Sequence, residues 1–163
     1  MTGEKMSRQL HSFCVLVGLP GVGKSTYINN NKNPNVVVLS TDTIVEEMCV
    51  SQGITYTQGF KLFISEATSR FNKRLTNAIK NRSDIVIDRT NLTRASRQRV
   101  MSQVPKNYSK FAYYFPTPEK DEWQRRLNSR PDKYIPQSVI DDMALSFQFP
   151  NKEEGFDAIF TIA

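Results

Sequence analysis

The sequence has little histidine, little cysteine and no long apolar stretch. Its one histidine, His11, and its two cysteines form no Cys/His cluster of the kind that binds zinc, and a Ser-His-Asp triad is excluded in the same way. Any metal ion should therefore be held by oxygen ligands. Cys14 and Cys49 fall in a predicted strand and a predicted helix, so we expect buried, reduced thiols and a cytoplasmic protein. No apolar run approaches the roughly 18 residues of a membrane span, and the polar N-terminus is unlike a signal peptide.

The length of the chain limits the number of domains, and its net charge indicates which partners to consider. With 163 residues, of which 39% are hydrophobic, the chain can bury one core, and we expect a single domain over residues 1–163. The formal net charge is +6, with an isoelectric point near 9.4. Because an excess of basic residues favours association with polyanions, nucleic acids and nucleotides are the first partners to consider.

Five short apolar runs alternate with longer polar stretches. Rich in Val, Ile and aromatic residues, they occupy 12–17, 35–40, 84–88, 111–115 and 158–162. Nearly continuous apolar runs are typical of strands buried on both faces. Helical spacing and capping residues predict helices over about 57–81, 93–104, 117–128, with Pro118 at its first position, and 136–147. The alternation predicts an α/β fold with a parallel sheet of about five strands flanked by helices, and a ligand site at the carboxyl ends of the strands.

The segment GLPGVGKST, residues 18–26, follows the first apolar run and matches the pattern G-x-x-x-x-G-K-[ST]. In this pattern backbone N–H groups surround a phosphate, the lysine reaches the β- and γ-phosphates, and the serine hydroxyl binds magnesium. The sequence therefore predicts binding of ATP, or another nucleoside triphosphate, with Mg²⁺. The predicted nucleotide-binding residues are Gly18, Gly21, Val22, Gly23, Lys24, Ser25 and Thr26, together with Arg126.

Two aspartates follow apolar runs and are expected at the same rim of the sheet as this loop. Asp88 ends the run IVID and, with Ser25, is a candidate magnesium ligand, although an aspartate there can also cap a helix or turn. Asp42 follows VVVLS, where its carboxylate can accept the proton of an attacking hydroxyl as a general base. Spacing alone does not separate this role from helix capping by Ser40, Thr41 or Asp42.

Three arginines lie at the end of the predicted helix 117–128. Arg126 and Arg130 are four residues apart and share one face if the helix extends to them, with Arg125 beside them. Arginines on a mobile lid can close over the γ-phosphate during transfer, whereas on an exposed helix face they are simply solvated. The presence of the phosphate-binding loop favours the lid interpretation.

With GLPGVGKST, LSTD, DRTNLTRASR and RRLNSRPDKYIPQSVIDDM in this order, the chain resembles the kinase module of the 5′-hydroxyl polynucleotide kinases of bacteriophages and nucleic-acid end-healing enzymes. The resemblance implies an adenylate-kinase-like P-loop fold with an arginine-bearing lid. It also implies transfer of the γ-phosphate of a nucleoside triphosphate to the 5′-hydroxyl end of DNA or RNA, as in end repair. By resemblance, the catalytic residues are Asp42, as general base, with Lys24, Arg126 and Arg130.

The acceptor side departs from this family. Residues 88–91 match the family segment D-x-T-N, but the arginine that follows the general base by three residues in the phage enzymes is Val45 here. Arg89, Arg94 or Arg97 can supply the missing charge from the neighbouring strand end. The predicted acceptor-binding residues are Asp42, Arg89, Thr90, Asn91 and Arg97.

Two other functions stay open at this stage. One is a kinase of a nucleoside, a nucleotide or another small alcohol, or of a modified base in DNA, which Val45 favours and the basic charge disfavours. The other is a nucleotide-regulated binding module without catalysis, which would not require Asp42. We expect no 3′-phosphatase activity, because the sequence has neither the length nor the motif for that module.

Overall fold

The computed structural model describes residues 10–131 and 133–163 and contains one sheet of five parallel strands. The strands are β1 (His11–Val17), β2 (Val36–Leu39), β3 (Asp84–Ile87), β4 (Tyr108–Tyr114) and β5 (Ala158–Thr161). Their spatial order is β2-β3-β1-β4-β5, and every neighbouring pair is parallel. The predicted α/β class is confirmed.

Strand β1 lies in the middle of the sheet because both of its faces are apolar. Phe13, Val15 and Val17 point into the larger core cluster, whereas Cys14 and Leu16 point into a smaller cluster on the opposite face. Such a strand must be covered on both sides by helices. Burial also raises the pKa of the Cys14 thiol to about 12, so this cysteine stays reduced and neutral inside the protein.

Within the described residues the strands are joined by six α-helices and a 3₁₀ turn. The helices are α1 (Lys24–Asn30), α2 (Thr41–Gln52), α3 (Tyr56–Lys80), α4 (Arg94–Met101), α5 (Lys120–Asn128) and α6 (Gln137–Ser146), and the turn is Lys152–Glu154. Among these helices, none has the length and apolar character needed to cross a membrane. The long helix α3 begins with a capping box formed by Thr55 and Gln58.

Two helices begin later than the sequence predicts. Pro118 is not the first residue of α5, because Glu119 has a ψ of 145° and the chain becomes helical only at Lys120. Pro136, with a ψ of 144°, is likewise the residue before α6 rather than part of it. The differences of one or two residues leave both helices at the same edge of the sheet as the phosphate-binding loop.

Helices α2 and α3 pack closely where Gly59 faces Cys49. A Cβ atom on Gly59 would lie 2.2 Å from the Cys49 sulfur, a distance that no real contact allows. Glycine at this position therefore lets the first turn of α3 approach α2. Tyr56, the first residue of α3, separately contacts Asp42 in the first turn of α2.

Candidate active site

The loop between β1 and α1 depends on three glycines. Gly21 and Gly23 have φ angles of 77° and 105°, in the left-handed region that favours glycine. A Cβ atom on Gly18 would lie 2.9 Å from the side chain of Val22 and 3.0 Å from the carbonyl oxygen of Phe115. Glycine at these three positions therefore permits a tight loop of the kind whose N–H groups can approach a phosphate.

Lys24, the first residue of α1, lies beneath this loop. Its Nζ atom donates to the carbonyl oxygens of Gly18 and Leu19, both at 2.7 Å. Desolvation lowers the pKa of Lys24 to about 8, while the negative charge of Asp88 acts in the opposite direction. Arg130 lowers this pKa further and Asp42 raises it. The two aspartates and the lid arginine therefore share one electrostatic site with Lys24.

Asp88 directly follows β3, and its backbone N–H donates to the carbonyl of Leu39 at 2.8 Å. Burial raises the pKa of Asp88, the positive charge of Lys24 lowers it, and Asp42 raises it again. Together with the hydroxyl of Ser25, this carboxylate offers the oxygen ligands that Mg²⁺ prefers. In the described part of the chain no three His, Cys, Asp or Glu side chains form a metal-binding group. The donor set fits a Mg²⁺ ion that one carboxylate, one hydroxyl, water and phosphate oxygens hold together.

Asp42 lies in the first turn of α2 but does not cap this helix. The cap is Ser40, whose hydroxyl oxygen accepts a hydrogen bond from the Thr43 N–H at 3.3 Å. The Tyr56 hydroxyl donates to Asp42 Oδ1 at 2.7 Å. Burial and the nearby Asp42 charge raise the pKa of Tyr56, so the phenol keeps its proton and remains a donor. The carboxylate of Asp42 is therefore held at the rim through one of its two oxygens.

Sequence reasoning missed Tyr56. The capping box of Thr55 and Gln58 is a local signal that marks the start of α3, and it places Tyr56 in the first turn. Which neighbour this tyrosine meets depends on how α3 packs against α2, and no local pattern in the sequence reports that packing.

In the segment after β3, Thr90 lines the groove whereas Asn91 is buried inside the protein. The Thr90 carbonyl accepts a hydrogen bond from the Gly18 N–H at 3.0 Å, while Thr90 also lines the groove. Asn91 is 4% exposed, and its side-chain NH₂ donates to the Leu16 carbonyl at 2.6 Å and to the Arg89 carbonyl at 3.2 Å. The prediction that Asn91 binds the acceptor is wrong, because its amide is buried and supports the end of β1.

Arg89, unlike Asn91, lines the groove. Its Nε atom donates to the Thr41 hydroxyl at 2.7 Å, and its guanidinium carbon lies 3.6 Å from the centre of the Phe71 ring. These two contacts fix the orientation of the side chain. Arg94, by contrast, is exposed at the start of α4 and is not among the residues that line the groove.

The prediction that Arg97 binds the acceptor is also wrong. Its side chain is fully buried, and its Nε and Nη2 atoms donate to the two carboxylate oxygens of Glu154 at 2.8 and 3.0 Å. Its Nη1 atom donates to the Asn91 carbonyl at 2.9 Å. Arg97 therefore joins the loop after β3 to the turn before β5, inside the protein.

Helix α5 forms the lid side of the groove. Trp123 Nε1 donates to the Pro20 carbonyl at 2.8 Å, and Leu127 lies against Gly21, so the helix is attached to the phosphate-binding loop. Arg126 and Arg130 both line the groove. They do not share a helical face, because α5 ends at Asn128. The helix ends where the sequence predicts, so Arg130 lies beyond it.

One open groove connects these residues. It has a volume of about 1690 Å³, well above that of a typical single-ligand pocket. The phosphate-binding loop and α5 line one side, and the first turns of α2 and α3 line the other. The groove-lining residues that the sequence predicted are Gly21, Val22, Gly23, Lys24, Ser25, Thr26, Asp42, Asp88, Arg89, Thr90, Arg126 and Arg130.

Comparison with known proteins identifies the family. A family model described as an AAA domain matches residues 13–150, and the chain belongs to this family. L-seryl-tRNA(Sec) kinase of Methanococcus maripaludis is 26% identical over 149 residues, which cover 88% of this chain and 55% of that protein. The chain thus spans about half the length of this curated relative.

Solved structures share the fold at low sequence identity. A chain from the Pnkp1/Rnl/Hen1 RNA repair complex matches with a TM-score of 0.68 and 23% identity, over 91% of this chain and 47% of that chain. A putative kinase from Chloroflexus aurantiacus matches with a TM-score of 0.65 and 13% identity, over 94% of this chain and 88% of that chain. A gluconokinase from Sinorhizobium meliloti matches with a TM-score of 0.55 and 14% identity, over 94% of this chain and 82% of that chain. The chain therefore shares its fold with these proteins.

The buried pair of Arg97 and Glu154 leads to a stability prediction. The Arg97→Met variant leaves the Glu154 carboxylate buried without a counter-charge, so we expect a loss of about 3–5 kcal/mol in the free energy of unfolding. Urea denaturation measures this loss. The exposed Arg94→Met variant on the same helix should change stability by less than about 0.5 kcal/mol. A wild-type stability for Arg97→Met, combined with weaker acceptor binding, would contradict the structural role.

The lowered pKa of Lys24 predicts pH-dependent nucleotide binding. Because phosphate favours the charged ammonium, the affinity for ATP should fall as the pH rises through about 8, by at most about tenfold per pH unit. Calorimetric titration with ATP between pH 7 and 9.5 measures the effect. The Lys24→Arg variant keeps its charge over this range and should lose the dependence. A similar fall in affinity in that variant would show that another group titrates.

Proposed function

We propose that this AAA-domain protein is a kinase, which transfers the γ-phosphate of ATP, or of another nucleoside triphosphate, to the 5′-hydroxyl end of DNA or RNA. One observation carries the proposal. The carboxylate of Asp42 is not used as a helix cap, is held by Tyr56, and faces the groove in the same electrostatic site as Lys24. A carboxylate placed beside a phosphate-binding loop is the group that a kinase needs to activate an alcohol.

On the donor side, the loop residues Gly21 to Thr26 surround the phosphates with backbone N–H groups, and Lys24 neutralises their charge. Ser25 and Asp88 would hold Mg²⁺ through their side-chain oxygens. When bound, Mg²⁺ neutralises charge on the β- and γ-phosphate oxygens. Trp123 keeps the lid helix against the loop, so that Arg126 stays close to Gly23.

In the transfer step, Asp42 accepts the proton of the 5′-hydroxyl as its oxygen attacks the γ-phosphorus. The bond between the γ-phosphorus and the β–γ bridging oxygen breaks, and ADP leaves with that electron pair. Tyr56 occupies Asp42 Oδ1 and leaves the other carboxylate oxygen to take the proton. Arg126 and Arg130 stabilise the charge on the phosphoryl group as it moves.

On the acceptor side, Arg89 supplies the charge that Val45 lacks. Val45 is fully buried in the core, whereas Arg89 is fixed beside Asp42 by Thr41 and Phe71. An oriented guanidinium can bind a phosphate of the acceptor strand through its terminal nitrogens. The net charge of +6 favours the same polyanionic acceptor.

A second candidate is a kinase of another alcohol, such as a small molecule or an aminoacyl group on RNA. It is supported by the relative named L-seryl-tRNA(Sec) kinase, by the fold shared with a gluconokinase, and by Val45. The donor side is the same in both candidates. Only the acceptor distinguishes them.

The test is transfer of labelled γ-phosphate from ATP, with Mg²⁺, to short DNA and RNA strands that carry 5′-hydroxyls. Nucleosides, nucleotides, seryl-tRNA and gluconate serve as parallel acceptors. The Asp42→Asn variant keeps the shape of the side chain and an oxygen that accepts from the Tyr56 hydroxyl, but it removes the carboxylate that acts as the base. We therefore expect kcat to fall by at least about 100-fold while ATP still binds. The exposed Asp141→Asn variant should keep full activity.

Three outcomes decide between the functions. Transfer to strand ends that depends on Asp42 supports the proposal. Transfer only to the other acceptors supports the second candidate. ATP binding without transfer to any acceptor contradicts both, and indicates a nucleotide-regulated binding module.

A further inference from the structure

Two aromatic side chains lie on the acceptor side of the groove, immediately beyond Asp42. Tyr56 donates its hydroxyl to Asp42, and the Phe60 ring packs against the Tyr56 ring with centroids 5.7 Å apart and planes tilted by 42°. Phe60 follows Tyr56 by one helical turn of α3, and both residues line the groove. A single side chain therefore separates Phe60 from the group that we propose as the base.

Phe60 differs from the other phenylalanines of α3 in its exposure. Phe71 is fully buried and Phe63 packs against the core, whereas 38% of Phe60 is exposed. The core does not require an aromatic ring at this position, and exposing one to water is unfavourable. A flat apolar ligand that covered the ring would remove this cost.

The charges around the ring pair fit a nucleic-acid strand. Lys133 Nζ lies 4.8 Å from the centre of the Tyr56 ring, and it also pairs with Glu46. Lys61, the next residue after Phe60, is exposed and lines the groove. Arg89 also lines the groove. An aromatic surface with cations beside it binds a base through stacking and the backbone through charge.

We propose that Phe60 is the stacking surface for the nucleobase of the acceptor's terminal nucleotide, the one whose 5′-hydroxyl Asp42 activates. The inference rests on the proposed function and deepens it, since it names the base, in addition to the phosphate, as a recognised group. Stacking on a ring accepts every base, because each has a flat π-surface. The enzyme is then selective for nucleotide ends over sugars such as gluconate, without a strong sequence preference.

The test combines a protein change with a substrate change. Wild-type protein and Phe60→Ala are compared on two 5′-hydroxyl oligonucleotides that differ only in the terminal residue, which carries a base in one and is abasic in the other. For the wild type, kcat/KM should fall by about tenfold or more when the base is removed. Phe60→Ala should show the same fall on the normal oligonucleotide and no further fall on the abasic one.

Two controls support the comparison. Leu62→Ala removes a large apolar side chain from the same helix, at a position that is 70% exposed and outside the groove, and should leave both rates unchanged. The thermal unfolding midpoints of both variants should lie within a few degrees of the wild-type value, because Phe60 and Leu62 both lie at the surface.

The outcomes separate this inference from the proposed function. The stacking surface is overturned if Phe60→Ala leaves kcat/KM unchanged, or if Phe60→Ala and removal of the base each lower kcat/KM and their effects multiply. In either case phosphorylation of the oligonucleotide by the wild type still supports the proposed function. If the wild type phosphorylates neither oligonucleotide, the proposed function fails and the stacking surface fails with it.

Discussion

Hydrogen bonds between the segment after β3 and the end of β1 set the position of the site. The Gly18 N–H binds the Thr90 carbonyl, and the buried amide of Asn91 binds the Leu16 carbonyl. The Asn91 carbonyl is held in turn by Arg97, whose charge is balanced by Glu154. A buried charge of this kind is stable only when it is paired and fully hydrogen-bonded. A buried chain of contacts therefore runs from the turn before β5 to the phosphate-binding loop.

The two sides of the groove are built from different elements. The donor side combines the loop after β1 with α5, which Trp123 attaches to that loop. The acceptor side combines the first turns of α2 and α3, which a hydrogen bond between Tyr56 and Asp42 joins. The two sides therefore rest on separate elements of the fold. Such a division is consistent with one fold in kinases named for substrates as different as seryl-tRNA and gluconate.

Local signals in the sequence predicted the sheet and the phosphate-binding loop, because continuous apolar runs and glycine spacing are properties of neighbouring residues. The same reasoning placed Arg89 and Arg97 together on the acceptor side, since both follow β3. The structure separates them: Arg89 stays at the groove, whereas Arg97 pairs with Glu154, 57 residues away in the chain. Tyr56 was missed for the same reason, since its contact with Asp42 depends on the packing of two helices. Side-chain direction at the end of a strand is decided by tertiary contacts, which no spacing rule reports.

The role of Asp42 is tested most directly by a crystal structure of the protein with Mg²⁺, a non-hydrolysable ATP analogue and a 5′-hydroxyl dinucleotide. The 5′-oxygen should lie within hydrogen-bond distance, about 3 Å, of the Asp42 carboxylate oxygen that Tyr56 leaves free. The same oxygen should be in line with the γ-phosphorus. A dinucleotide bound elsewhere, with its hydroxyl away from Asp42 while the analogue fills the phosphate-binding loop, would contradict the assignment of Asp42 as the base for a strand end.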